Sequence, residues 1–106
     1  MSIKQIGPTE LKELLDEVEI LLLDVREAHE VAYCRIEGSV HLPLRQIREA
    51  PQRFSTNQSV VVYCHHGPRS MMAAQALQAM GFEDVTNLDG GIEGWAVEVD
   101  PSVLRY

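Results

Sequence analysis

Cysteine is scarce: only Cys34 and Cys64 occur in 106 residues. Two are too few for a disulfide framework, and no second Cys or His group stands at structural zinc spacing. In a reducing compartment each thiol is expected to stay free unless it has a redox or catalytic task. Basic charge is short as well. Nine Lys and Arg face sixteen Asp and Glu, for a net charge of -7, which argues against nucleic acid and against anionic membrane surfaces. No apolar run, Ile20 to Leu23 included, nears the ~20 residues of a membrane span. The opening "MSIKQIGPTE" has no basic region leading into an apolar stretch, so no secretory signal is visible and a cytoplasmic location is expected. Repeats, low-complexity tracts and linkers are missing too. The expectation is one domain, 1–106, with one hydrophobic core.

What is present is an alternation of strand and helix signals. "PTELKELLDEV" carries Leu11, Leu14, Leu15 and Val18 on one helical stripe, with Pro8 suited to the first turn. "EILLLDV" is continuously apolar and reads as a strand buried on both faces. "EAHEVAY" is a short helix candidate, "GSVHLPL" a short strand closed by Pro43, and "LRQIREAPQRF" a polar helix broken by Pro51. "SVVVYC" is the clearest strand. Ala73, Ala76, Leu77 and Met80 mark a helix over 70–80, which Gly81 stops. "DVTNL" reads as a last strand and "GGIEGW" as a turn into a short helix. In the tail, Val99, Val103, Leu104 and Tyr106 are expected to pack back. This order predicts an α/β fold, a mostly parallel sheet covered on both faces. Ligands of such sheets bind beyond the carboxyl ends of the strands.

Cys64 stands at such an end, in "VVVYCHHGPRSMMAAQAL". A thiolate, not a thiol, is the nucleophile, and the amides and partial positive charge of a helix start favour an anion. The amides of residues 65 to 70 could curl round the sulfur. Gly67 permits the backbone conformation a curl needs, and Pro68 stiffens it before the helix. Arg69 adds a fixed cation that could hold the loop or grip an anionic donor. His65 and His66 add donors and, when protonated, charge. The plainer reading, Cys64 as a small buried hydrophobe, leaves the glycine, the arginine and the helix start without a purpose.

"CHHGPRS" resembles the active-site loop of the rhodaneses, the sulfurtransferase domains. "LLLDVRE" resembles that family's leucine-aspartate-valine-arginine signature. "CRIEGSVHLPL" is similar to its segment ending in a short strand and proline, and "GFEDVTNLDGGIEGW" to its ending. The resemblance implies a three-layer sandwich, a mostly parallel central sheet with helices on both faces. It also implies transfer of a sulfane sulfur through a persulfide on Cys64, with His65, His66, Gly67, Pro68, Arg69 and Ser70 as the substrate-binding loop. No metal or organic cofactor is implied. The implied partners are a small-molecule sulfur donor or a persulfide-bearing protein, and a thiol or cyanide-like acceptor.

Two rivals share the fold: a non-catalytic partner-binding or sulfide-sensing module, and a cysteine phosphatase or arsenate reductase. Phosphatases on this architecture carry five residues between cysteine and arginine; four separate Cys64 from Arg69, a smaller ring suited to one sulfur. The chain departs from the family pattern at Cys34-Arg35, where glycine-histidine is usual, and at Glu37, where proline is common. Cys34 is thus a candidate resolving thiol, with simple packing as the alternative. Asp24 and Arg26 read as a structural pair, and Trp95 as a core plug.

Overall fold

The computed structural model describes residues 3–106. Five strands, β1 (Lys4–Ile6), β2 (Leu21–Asp24), β3 (Val40–His41), β4 (Ser59–Tyr63) and β5 (Asp84–Leu88), form one sheet in the order β1-β5-β4-β2-β3. Every pairing is parallel. The five α-helices are α1 (Pro8–Glu17), α2 (Ala28–Tyr33), α3 (Ala50–Arg53), α4 (Pro68–Ala79) and α5 (Gly91–Glu98).

The continuous apolar runs are explained by the two faces. Leu21, Leu23 and Val25 of the β2 segment, with Val60, Val62 and Cys64 of the β4 segment, join Ala73, Ala74 and Leu77 of α4 in one core. The alternate residues Leu22, Val61 and Tyr63 join Leu11 of α1 and Ile92 and Trp95 of α5 in the other. Side chains alternate along a strand, so a sheet covered twice must be apolar at every position. The three-layer α/β arrangement is the one expected, and Trp95, 6% exposed, is the core plug.

Several local expectations need correction. β1 left no signal in the sequence: a three-residue edge strand is too short to show alternation, and its pairing with β5 defines it. Val18 is 52% exposed, because α1 ends at Glu17 and only Pro8 and Leu11 are fully buried. Pro51 does not break a helix. A 3-10 helix over Leu44–Glu49 runs into α3, and the proline occupies its first turn, where no N–H is required. In the tail, Val99 and Val103 pack on the α1/α5 core, whereas Leu104 is 55% exposed. Gly81, at φ +99°, does stop α4, letting the Phe82 amide reach the Leu77 carbonyl.

Strand order places the site. From β2 the chain passes to β3 on one side, then returns to β4 and on to β5 on the other. The crevice between the carboxyl ends of β2 and β4 is therefore the switch point, the usual binding place in such sheets. Asp24 ends β2 there, and Cys64 follows Tyr63 of β4.

Candidate active site

Cys64 is 1% exposed, and its sulfur sits where a capping group for α4 belongs. Gly67, the residue before the helix, offers no side-chain cap. Instead Cys64 Sγ accepts the Gly67 N–H at 3.1 Å and the Ser70 N–H at 3.3 Å, and the Ser70 hydroxyl oxygen stands 3.3 Å from it. Orphan amides at a helix start carry partial positive charge, so this arrangement favours negative charge on the sulfur. Gly67 makes the turn at φ +132°, which side-chain-bearing residues rarely adopt. Pro68, exposed, sets the first turn of α4 and has no N–H to satisfy.

The rest of the loop is fixed from outside. The Ile92 amide donates to the Cys64 carbonyl at 2.9 Å, and the Glu93 amide to the His65 carbonyl at 3.1 Å. No cis peptide occurs among the described residues, so each of these peptides points its N–H opposite to its carbonyl. The His65 and His66 amides are thereby turned away from α5. The close approach requires Gly91: a Cβ there would stand 2.3 Å from the His65 carbonyl oxygen, and its φ is +58°.

Arg69 does not stand free. Its Nη1 and Nη2 donate to the two carboxylate oxygens of Glu30 at 2.7 and 2.9 Å, tying the start of α4 to α2. This fork holds the Glu30 carboxyl down to about 2 and raises the guanidinium further above its ordinary value. Glu30 also closes α2 with a reciprocal capping box to Glu27. Tyr106 completes the bridge. Its hydroxyl accepts from Arg26 Nη1 at 2.9 Å and donates to Glu30 Oε2 at 2.8 Å.

Arg26 and Asp24 are structural, as the sequence reading has them. Both are 0% exposed, and the guanidinium bonds Asp24 Oδ1 at 3.0 Å and Oδ2 at 2.7 Å while reaching the Cys34 carbonyl at 2.7 Å. The pair joins the end of β2 to the end of α2.

The histidines are placed differently from each other. His66 is exposed, and His65 is sandwiched between His66 and Tyr106, with ring centroids 3.9 and 3.8 Å away. Burial, then the neighbouring His66, lowers the His65 pKa below the ordinary imidazole value. Its Nε2 is buried without a partner among the described residues. His65 is therefore placed as a stacked support of the loop, with burial working against the charge it could add. Among the described residues no three His, Cys, Asp or Glu side chains converge as a metal site.

The chain matches the rhodanese-like domain family over residues 7–98. It belongs to that family. Among curated relatives, the thiosulfate sulfurtransferase GlpE of Coxiella burnetii (strain RSA 331) is 35% identical over 95 residues, covering 90% of this chain and 89% of that one. The GlpE of Pseudoalteromonas translucida is 31% identical over 105 residues, 99% of this chain and all of the other. The Bacillus subtilis protein YrkF is 36% identical over 95 residues, and there the chain spans only 51% of the relative. Among solved structures, a rhodanese-like domain protein from Staphylococcus aureus superposes with a TM-score of 0.83 at 28% identity, over 98% of this chain and 99% of that one.

Within this rhodanese domain, of the loop residues 65 to 70 expected round the sulfur, the structure brings Gly67 and Ser70 to Cys64 Sγ. The sequence reading missed Glu30 as the partner of Arg69, the α5 amides, Asn87, whose Oδ1 lies 2.5 Å from the Ser70 hydroxyl, and the bridging role of Tyr106. The double glycine was the one signal for the α5 contact. The tail from residue 99 lies beyond the family match, so nothing in the motif pattern could reveal Tyr106. No helix among the described residues is long and apolar enough to cross a membrane.

Proposed function

We propose that this chain is a sulfurtransferase that carries a sulfane sulfur on Cys64. The observation that carries the reading is the pair of amides aimed at one buried sulfur, with the Ser70 hydroxyl in reach at 3.3 Å, at the start of α4. Such an array stabilises a thiolate and, after reaction, the charge of a persulfide. With thiosulfate as donor, the Cys64 thiolate attacks the outer sulfur. A new S–S bond forms to Cys64, the old S–S bond breaks, and sulfite leaves with the electron pair. An acceptor thiolate or cyanide then takes the outer sulfur, and Cys64 departs as thiolate. No net oxidation occurs.

The substrate-binding loop is His65 to Ser70. Within it Gly67 and Ser70 hold the sulfur, His65, His66 and Pro68 form the wall, and Arg69, its side chain 37% exposed, positions the loop through Glu30. The relatives named thiosulfate sulfurtransferase support this activity. Because Glu30 pairs with Arg69 and burial works against charge on His65, the site has weak pull on a dianion. A persulfide-bearing protein is therefore the preferred donor, thiosulfate a poor one, and the cytoplasm the fitting compartment. No cofactor takes part.

The test is intact mass after incubation with thiosulfate, and separately with a protein persulfide, for wild type and Cys64→Ser. A gain of one sulfur, about 32 Da, on the wild type alone supports the reading, since only a reactive thiolate adds it. No gain with either donor overturns it in favour of a binding module.

A further inference from the structure

The Ser70 hydroxyl has one proton and three neighbours able to accept it: Asn87 Oδ1 at 2.5 Å, the Gly67 carbonyl at 2.9 Å and Cys64 Sγ at 3.3 Å. The Gly67 carbonyl already accepts the Met71 amide at 2.9 Å. The Gly67 carbonyl keeps a second lone pair, but Asn87 Oδ1 is the nearest acceptor, so the choice that bears on the sulfur is between Asn87 and Sγ. Ser70, Cys64 and Asn87 are 0%, 1% and 2% exposed, so a mismatch between donors and acceptors here is costly.

With Asn87 Oδ1 facing Ser70, the proton belongs to Asn87, and Oγ offers the sulfur lone pairs only. That arrangement suits a thiol, which can donate its S–H. A thiolate needs the reverse. The proton must turn to Sγ, and the group at position 87 must then donate to Oγ. An amide meets both demands by a half-turn that exchanges Oδ1 and Nδ2 with nearly the same shape. The far end of Asn87 permits the turn: Nδ2 donates to Gln5 Oε1 at 3.1 Å, and Gln5 is a second amide, exposed on the edge strand β1. Gln5, Asn87, Ser70 and Cys64 thus form one file of hydrogen bonds from the surface to the sulfur.

We propose that Asn87 is a positioning residue for the sulfur nucleophile: its amide, backed by Gln5, decides where the Ser70 proton points and so fits the loop to thiol or thiolate. This rests on Cys64 as the reactive sulfur.

The experiment measures Cys64 alkylation by iodoacetamide in the full chain carrying Cys34→Ser, at about pH 7 and at about pH 10, where free thiols are largely ionised. Asn87→Asp, which can only accept, lowers the rate about tenfold at neutral pH and leaves it within about twofold at high pH. Ser70→Ala gives the same selective loss. In the Ser70→Ala background, Asn87→Asp adds less than about a threefold loss, because the proton it diverts is gone. Equal losses at both pH values mean a distorted or closed loop and overturn the proposal. A full tenfold loss without the hydroxyl means plain repulsion between charges and also overturns it.

Gln5→Glu provides the same test at an exposed position where folding is not at stake. It accepts only, holds Asn87 Nδ2 outward, and lowers the neutral rate about threefold in a way that Ser70→Ala abolishes. A Gln5→Glu loss that survives Ser70→Ala, or no loss at all, counts against the file. Alkylation needs no sulfur donor. A failed coupling therefore leaves the persulfide reading intact, and a failed sulfur loading leaves the coupling intact.

Discussion

The ring of Tyr106 lies parallel to the imidazole of His65, with centroids 3.8 Å apart and planes 8° from coplanar. The same side chain bonds Arg26 and Glu30 through its hydroxyl. One residue of the tail thus joins the buried pair at the end of β2, the α2 carboxylate and the loop that follows Cys64. Tyr106→Phe keeps the stack and removes both bonds, one of them to a buried guanidinium, and should destabilise by about 1–2 kcal/mol. Tyr106→Ala also removes the stack, at about 1 kcal/mol more. Urea denaturation measures both, and a Phe variant indistinguishable from wild type would show that the hydroxyl contributes nothing.

The Glu30–Arg69 bond should appear in acid. With its pKa lowered from 4.5 to about 2 by the Arg69 fork, Glu30 is more acidic folded than unfolded. Its contribution is complete above about pH 4.5 and is lost as the pH falls toward about 2. Arg69 is 37% exposed, so solvent screening limits the contribution to about 1–2 kcal/mol. Glu30→Gln should show that deficit at neutral pH and converge with wild type in strong acid. A deficit constant across that window would mean lost packing instead of lost charge.

Gly91→Ala is expected to be severe. The added methyl meets the His65 carbonyl at 2.3 Å with backbone on both sides, and a φ of +58° is unfavourable to alanine. Either α5 or the loop must shift, which breaks the clamps on the Cys64 and His65 carbonyls. A loss of about 3 kcal/mol or more is expected, with sulfur loading of Cys64 falling in the fraction that still folds. Thermal denaturation and intact mass report the two effects separately.

Cys34 should prove dispensable for sulfur loading. Its sulfur packs against the core shared by α1 and α5 and accepts from Arg26 Nη1 at 3.8 Å, whereas Cys64 belongs to the core on the α4 face. Two thiols directed to opposite faces of one sheet cannot close a disulfide without backbone movement. Cys34→Ser should load as wild type does, and non-reducing gels should show no internal disulfide after oxidation. A band that requires both thiols would refute this.

The sequence made the architecture and the Cys64 turn readable because both are written in local pattern. Doubly buried strands are apolar throughout, as in β2 and β4, and a cysteine followed by glycine, proline and arginine announces a turn into a helix. β1 was invisible because β5 makes it a strand. The expectation that Arg69 holds the loop or grips a donor did not include its partner Glu30, thirty-nine positions upstream. Local pattern supplied no means of pairing them. Asn87 and Tyr106 escaped for the same reason: their roles rest on contacts that only the tertiary fold creates.

The clamp on the active-site loop also bears on when that loop is completed. A chain grown as far as α4 already contains Cys64 and Ser70, but not Asn87 or the amides of Ile92 and Glu93. These arrive with β5 and α5, and β5 must slot between β4 and the earlier strand β1. That non-local pairing is slow to form. Until it does, the Gly67 and Ser70 donors are present in the chain, but the α5 clamps on the Cys64 and His65 carbonyls are missing. The outer support of the Cys64 loop is thus completed only by the closing step of assembly.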